Sequence, residues 1–340
     1  MIRIPIPRKG TFFLSEKDWV KSMDMLIKFL VAAVGSGIPL LFGTMGEIVN
    51  ERSGHLNLGV EGMMAMGACA GFMAGYFSNN LLVALLAAFL AGVFASLIYA
   101  VLTVTFLANQ NVTGLTLTIF GVGLSNFVGK LFLSGAESGT LKLSEGIMGQ
   151  MSSIHIPVLS DLPVVGPLLF SYNIFVYLGV AIAIVLWLYL FRTKTGLNLR
   201  AIGENPAAAD AAGVHVTRMK YWNLLLGGGI CGIGGVYCSL IINNGVWVSD
   251  SVNGLGWISV ALVIFAAWSP ARAIYGSLLF GALRVLKYYV PKDIVAIPNA
   301  VYDMLPFLIT AIILVFTSMR NAKGGVQPAA CGINYFREER

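Results

Sequence analysis

The chain has 340 residues, of which 57% are hydrophobic and only 11% charged, and its mean hydropathy is +0.80. A soluble domain carries about 25% charged residues, so the composition excludes an ordinary soluble protein and gives an integral membrane protein with a single membrane domain. The formal charge of +6 would suggest nucleic acid as a partner for a soluble chain, but here the basic residues fall mostly in loops, where membrane topology accounts for them and no nucleic-acid role is read.

Residues 1–23, MIRIPIPRKGTFFLSEKDWVKSM, are mixed in charge and lack the small-residue cleavage site that follows the apolar run of a signal peptide. They read as a lead-in, with Trp19 at headgroup level. The membrane domain is read over 24–320. A spanning helix needs about 20 largely apolar residues. The first such run is 25–49, with Gly35, Gly37 and Pro39 inside it, followed by Asn50, Glu51, Arg52 and Ser53. The second is 56–77, whose start, Leu56-Asn57-Leu58-Gly59, predicts a break in the helix. The third and fourth are 81–107 and 112–133.

Residues 134–171 carry Lys142 against Glu137, Glu145 and Asp161, together with Pro157, Pro163 and Pro167, and read as an external loop. After a fifth run, 172–191, residues 192–218 carry Arg192, Lys194, Arg200 and Arg218 against Glu204 and Asp210, an excess that places them inside. Four more runs follow, 221–242, 255–268, 273–290 and 300–319, and return the tail, 321–340, to the inside, where Arg320, Lys323, Arg337 and Arg340 agree. Five runs before an inside loop put the N-terminus outside, whereas Arg3, Arg8, Lys9, Lys17 and Lys21 argue for inside. Three passes or a re-entrant segment within 25–77, broken near 51–59, would reconcile the two, and an inside N-terminus is the reading taken here.

The 192–218 stretch contains a punctuated short helix. Asn205 suits an N-cap, Pro206 the first helical position, and Ala207 to Ala212 (with Asp210 among them) a helix body. Gly213 suits the left-handed residue that ends a helix. Its small alanine face would let another surface approach closely. The stretch is read either as a docking element between two spans or as an ordinary loop that happens to be helical.

Polar residues at membrane depth are the candidates for chemistry. Asn57 and Glu61 are four apart and are expected on one helix face just after the break, either binding a substrate or stabilising the bend. Asn111 and Thr113 sit with Asn109 where the fourth run begins, and Thr116 and Asn126 lie deeper; they line a translocation path or act as caps. Phe120 and Phe127 make an aromatic stripe that is read as packing ahead of base stacking. Gly227, Gly228, Gly229, Gly232, Gly234 and Gly235 are read as close helix packing; with no strand before them, they are not a nucleotide fingerprint. Cys69, Cys231, Cys238 and Cys331 form no CxxC pair and read as free thiols. No HExxH, Walker sequence, nucleophile elbow or paired-carboxylate spacing is present. An enzyme is therefore not read, no cofactor or metal is assigned, and ATP hydrolysis is expected from a separate subunit. An ion-coupled secondary transporter would need intramembrane carboxylates, for which only Glu61 and Asp303 qualify.

Three stretches carry a resemblance: G-L-N-L-R-A-I-G-E-N-P-A-A-A-D-A-A-G (Gly196 to Gly213), G-E-I-V-N-E-R-S-G-H-L-N-L-G-V-E-G-M-M (Gly46 to Met64), and the tail Q-P-A-A-C-G-I-N-Y-F-R-E-E-R (327–340). The first resembles the coupling segment of ATP-binding cassette (ABC) importer permeases of the sugar, branched-chain amino acid and nucleoside group; the other two are similar to its nucleoside branch. The resemblance implies an all-α integral membrane bundle of about 8–10 transmembrane helices, type II in layout, that carries nucleosides, with simple sugars as the alternative. It implies a cytoplasmic ABC ATPase, a second related permease subunit in a heterodimer, and an extracytoplasmic substrate-binding lipoprotein. It also puts the ATPase contact on Gly196, Arg200, Gly203, Glu204, Asn205, Pro206, Ala209, Asp210 and Gly213.

Overall fold

The computed structural model describes residues 16–135, 139–155, 157, 159–160, 162–290, 298–319 and 327–337. In chain order the helices are α1 (Glu16–Arg52), α2 (Val60–Ser78), α3 (Leu81–Ala100, continued by a π-helical turn Val101–Thr105), α4 (Gln110–Ser134), the short α5 (Glu145–Gln150) and α6 (Val165–Leu169), and α7 (Ile174–Arg192). They continue with α8 (Lys194–Glu204), α9 (Pro206–Ala211), α10 (Val216–Tyr237, with a π-helical turn Cys238–Ile242), α11 (Leu255–Phe265), α12 (Pro270–Tyr289) and α13 (Asn299–Met319). The protein is a polytopic all-α bundle. Among the described residues, α1, α3, α4, α7 and α10 are long and apolar enough to cross a membrane. Helices α2, α12 and α13 have 19, 20 and 21 residues, whereas α11 has only 11, half the length a crossing needs.

Helices α1 and α10 are the hubs. Helix α1 packs on α10, α11 and α12, and α10 packs on α1, α2 and α3. Pro39 lies inside α1 and leaves the Gly35 carbonyl without its helical donor. The Tyr237 hydroxyl of α10 donates to that carbonyl at 2.9 Å, so the neighbouring helix repairs what the proline removes. Apolar surface gains nothing by leaving lipid, so these contacts rest on close packing instead. The glycines of α10 allow it: Gly228 lies against Gly92 and Ser96, Gly232 against Ala88 and Gly67, and Gly235 against the Met64 backbone. Ser96 Oγ donates to the Leu224 carbonyl across the same interface at 2.6 Å.

Gly35 meets Tyr237, near the end of α10, while Asn50 meets Gly227, nearer its start. The two helices are therefore antiparallel, and α1 begins at the end of the bundle opposite 192–218. That is where the count of five runs puts it, and not where the N-terminal basic residues argue. Residues 1–15 lie outside the described residues, as do Glu137, Asp161, Arg320, Lys323 and Arg340. Residues 25–77 form two helices joined by one turn, rather than three passes. The described residues of loop 134–171 lie at the far end and pair with the chain after α10, Leu143 N–H donating to the Gly245 carbonyl and Trp247 N–H to the Leu141 carbonyl, both at 2.9 Å.

Replacing Gly235 with valine would set a side chain on the Met64 carbonyl. Thermal unfolding of the detergent-extracted chain should show a loss of about 1–3 kcal/mol. Gly123→Ala on α4, with nothing within 4 Å of the added methyl, should leave the midpoint unchanged.

Candidate functional site

Two stretches of non-helical backbone lie inside the bundle, and together they build the site. The first is the turn 53–59 between α1 and α2. Glu47, Asn50 and Glu51 sit at i, i+3 and i+4 on one face of α1, all buried. Glu47 accepts from Asn57 N–H and from Asn50 Nδ2, each at 2.9 Å. Trp268 Nε1 donates to Glu51, and the Arg52 guanidinium donates to the Trp268 carbonyl at 3.1 Å. The turn's own backbone is met from outside: Leu56 N–H donates to Gln110 Oε1 at 2.9 Å, and the Tyr99 and Thr118 hydroxyls donate to the Leu56 and Leu58 carbonyls at 2.8 Å. Asn57 is consumed here, its Oδ1 accepting from Gly59 N–H at 2.9 Å. The expected shared helix face of Asn57 and Glu61 is therefore corrected: the helix starts at Val60, and Asn57 belongs to the turn before it.

The second stretch is 243–254. It leaves the far end of α10 and runs inward, with left-handed backbone at Asn244 (φ 50°), Asp250 (φ 55°), Asn253 (φ 49°) and Gly254 (φ 82°). It ends where α11 begins, inside the bundle. Gly254 has no side chain with which to cap α11, and the cap comes from another helix: Glu61 of α2 accepts Gly254 N–H through Oε1 at 2.7 Å and Gly256 N–H through Oε2 at 2.6 Å. A carboxylate is favoured there because the first N–H groups of a helix lack partners and carry partial positive charge. Gly256 permits the approach, since a Cβ would fall on the Glu61 backbone. A step away, Asn126 of α4 pairs with Asp250 in both directions, Nδ2 donating to Oδ1 at 2.7 Å and Asp250 N–H donating to Asn126 Oδ1 at 3.0 Å.

These groups line a cavity of about 190 Å³ that also includes Ser125, Ser251 and Asn253. A second cavity of about 720 Å³ lies on the other side of Asn253 and Gly254, walled by α1, α10, α12 and α13. In it Arg284 donates to the Ser36 hydroxyl at 3.1 Å, and Lys287 pairs with Asp303 at 2.7 Å. Asn253 and Gly254 thus line both cavities, and the 250–254 segment forms the wall of the first. Of the sequence candidates, Glu61 and Asn126 come together here. Asn111 is exposed, and Thr113 and Thr116 bond back to the Asn109 and Val112 carbonyls of their own helix at 2.8 Å. Phe120 and Phe127 are 48% and 60% exposed, so their stripe faces outward and is not packing within the chain. Asp250, Asn253 and Gly254 were legible only as a polar loop. The available signal was Asn253-Gly254, a turn pair, directly before the apolar run of α11.

The 192–218 stretch folds as two helices. Helix α9 has the expected punctuation: Asn205 Oδ1 accepts from Ala208 N–H at 3.0 Å, Pro206 opens the helix, and Gly213 follows with φ 85°. Helix α8 was not foreseen; its N-cap is Thr193, whose hydroxyl accepts from Gly196 N–H at 3.0 Å. Gly196 and Gly203 face inward, lying on the Tyr189–Leu190 and Arg52 backbones. The Arg200 guanidinium lies 5.1 Å from the Phe191 ring. Ala209, 4% exposed, is buried with Ile202 and Val216, against the partly buried Tyr335. The exposed face carries Leu197, Ala201, Glu204, Asn205 and Ala208 instead.

The tail explains part of this. Ala330 N–H donates to the Gly203 carbonyl at 2.9 Å, Tyr335 donates to Asp210 at 2.8 Å, and Arg337 pairs with the same carboxylate at 3.2 Å. Asn334 Nδ2 donates to the Ala108 carbonyl at 3.1 Å, tying the tail to the α3–α4 connection. The described tail therefore lies at the 192–218 end. Cys331 lies in it, and burial, reinforced by the nearby Glu51 charge, pushes its thiol well above the usual range. The other cysteines are buried, and none is in a disulfide.

The family described as "Branched-chain amino acid transport system / permease component" matches residues 29–314. The nucleoside ABC transporter permease protein NupC of Lactococcus lactis subsp. cremoris is 33% identical, covering 88% of this chain and 94% of that one. The guanosine ABC transporter permease protein NupQ of Bacillus subtilis is 33% identical over 89% of this chain and 94% of its own. A chain of Haloferax volcanii provisionally named as a glucose ABC transporter permease, TsgC13, is 34% identical over 78% of each.

Replacing Glu61 with alanine removes both acceptors from the start of α11 and should cost about 3 kcal/mol, since a hydrogen bond to a charged group is worth about 1.5–3 kcal/mol. Denaturant unfolding in micelles measures this, and Glu61→Gln should lose less. Cys331 should alkylate slowly at pH 8, because a raised thiol remains protonated there, and its rate should rise with pH. Asp210→Asn, which removes the Arg337 ion pair, should speed this alkylation several-fold as the tail loosens and the thiol falls towards its ordinary value of about 8.5.

Proposed function

The chain belongs to the branched-chain amino acid transport permease family and is a multi-pass transport subunit of the cell membrane, and from that premise we propose that it carries nucleosides for an ABC importer. A separate cytoplasmic ATPase supplies the energy, a second related permease completes the pathway as a heterodimer, and an extracytoplasmic lipoprotein delivers the substrate. The tail and the 192–218 end then lie in the cytoplasm.

The observation that carries the mechanism is the outward face of α8 and α9. Leu197, Ala201 and Glu204 repeat at helical spacing along α8, Asn205 and Ala208 follow at the start of α9, and all are exposed. Leu197 is 57% exposed on an otherwise small and polar surface. Behind this face α8 is seated on α1 and α7 through Gly203 and Gly196, so a push from the ATPase is delivered to the spans instead of being absorbed by a loose loop. Docking is accordingly assigned to Leu197, Glu204, Asn205 and Ala208. Arg200, Ala209 and Asp210 support that face from within.

The nucleoside reading is supported by the relatives named for nucleosides and by the first cavity. Asn126, Asp250, Ser125, Ser251 and Asn253 offer donors and acceptors matched to ribose hydroxyls and base edges. A simple sugar is the second reading, favoured by the relative named for glucose. An ion-coupled mechanism is less supported, since Glu61 is held by two backbone donors and Asp303 by Lys287.

Uptake of labelled guanosine, uridine, ribose and leucine, in cells with and without the chain and with ATP and membrane potential varied separately, tests the reading. ATP-dependent nucleoside uptake lost with the chain is the expected result. Ribose uptake alone would keep the mechanism and discard the substrate, and uptake following the membrane potential would discard both. Leu197→Glu should abolish uptake while the amount of folded protein in the membrane stays normal.

A further inference from the structure

A third cavity, of about 660 Å³, lies at the 192–218 end between the end of α3, the start of α10 and the tail. Its volume is that of an ordinary small-molecule site. Neither the pathway nor the docking face uses it. Two arginines line it, Arg218 of α10 and Arg337 of the tail, with Thr217, His215 and the ring of Tyr335. Among the described residues the one carboxylate in the wall is Asp210, which already accepts from Tyr335 and pairs with Arg337. Arg218 makes no hydrogen bond or ion pair among the described residues, so its guanidinium faces the cavity with its donors free, in a described lining of two arginines and one carboxylate.

The surroundings say which anion reaches it. Phe106, next to the cavity-lining Thr105, is 70% exposed. Trp222, one turn beyond Arg218 on the same face of α10, is 65% exposed. Exposed rings at the edge of an apolar bundle mark the level where hydrocarbon gives way to headgroups, and tryptophan is enriched at that level. The cavity thus combines two arginines with apolar walls from Val104, Leu107, Val216 and Phe336, and opens beside exposed rings. Guanidinium groups recognise phosphate oxygens in a fixed fork, and basic pockets at the cytoplasmic side of membrane helices suit anionic headgroups.

We propose that this cavity binds a phosphate group, and that its source is the headgroup of an anionic phospholipid of the inner leaflet. The choice of leaflet rests on the cytoplasmic placement of the 192–218 end proposed above. Arg218 is the recognition residue, and Arg337, fixed by Asp210, closes the other side. A bound headgroup would bridge α10 and the tail, and so hold the tail against α9.

Native mass spectrometry of the purified full chain in neutral detergent tests this without any transport step, so its failure is separate from failure of the importer reading. Phosphatidylglycerol should be retained, phosphatidylcholine should not, and Arg218→Gln should weaken phosphatidylglycerol binding about fivefold, the factor for one arginine at an anionic surface. Arg218→Lys, which keeps the charge but not the fork, should bind more tightly than Arg218→Gln and more weakly than the unaltered chain. Arg218 is exposed and unpaired, so the thermal midpoint without lipid should not move in either variant. Equal retention of the two lipids, or unchanged binding in Arg218→Gln, would overturn the proposal. Displacement of phosphatidylglycerol by millimolar inorganic phosphate would assign the cavity to a soluble anion and overturn the lipid source.

Discussion

Inside a bilayer no water is present to satisfy a peptide group, so any backbone that leaves helical geometry must find its partners within the protein. This chain leaves it at two places packed within the bundle, 53–59 and 243–254, and much of its polar side-chain inventory is spent on those departures. Glu47, Gln110, Tyr99 and Thr118 meet the first. Glu61 and Asn126 meet the second. Polar residues that look like extravagance in a hydrophobic sequence are what allow the helices to be interrupted, and the interruptions are what open polar cavities between them.

The same bonds join the ends of the molecule. Gly203 of α8 rests on the Arg52 carbonyl, and Arg52 and Glu51 hold Trp268, which follows α11. Glu51 and Glu47 then frame the turn that leads into α2, and Glu61, at the start of α2, holds the other end of α11. Helix α11 is therefore gripped at both ends by residues from the α1–α2 region. Contiguous packed groups, rather than a flexible linker, thus connect α8 to the 250–254 segment. Such continuity is the physical requirement for a docking face at one end of a bundle to act on a cavity in its middle.

The tail changes how the 192–218 stretch is understood. Its fold-back occupies Asp210, covers Ala209 and donates to Gly203, so the inner side of α9 is fixed by the chain's own C-terminal segment. A bulky residue at Ala209 would disturb that packing as well as any partner, which makes Leu197 the cleaner probe of docking. The tail also bonds to the α3–α4 connection through Asn334, so α4, whose Asn126 meets Asp250, is tied to the same assembly.

Composition and apolar run length by themselves determined a polytopic helical membrane protein, because those quantities depend only on transfer of residues into lipid. Local chemistry determined the Asn205-Pro206 start and the Gly213 end of α9 and the break before Val60, since caps and turns are set by neighbours in sequence. The glycines of α10 were legible as close packing because in lipid they have little other use. What only the tertiary structure decided are the pairings between distant residues. Glu61 could be read as substrate ligand or as support until its partners proved to be Gly254 and Gly256, 193 and 195 residues away. Asn126 and Thr116 looked alike on α4, yet only the first has Asp250 opposite it. Which side of a helix is free also depends on what folds over it, and Ala209 is inside because Ile202, Val216 and, from the tail, Tyr335 pack on it.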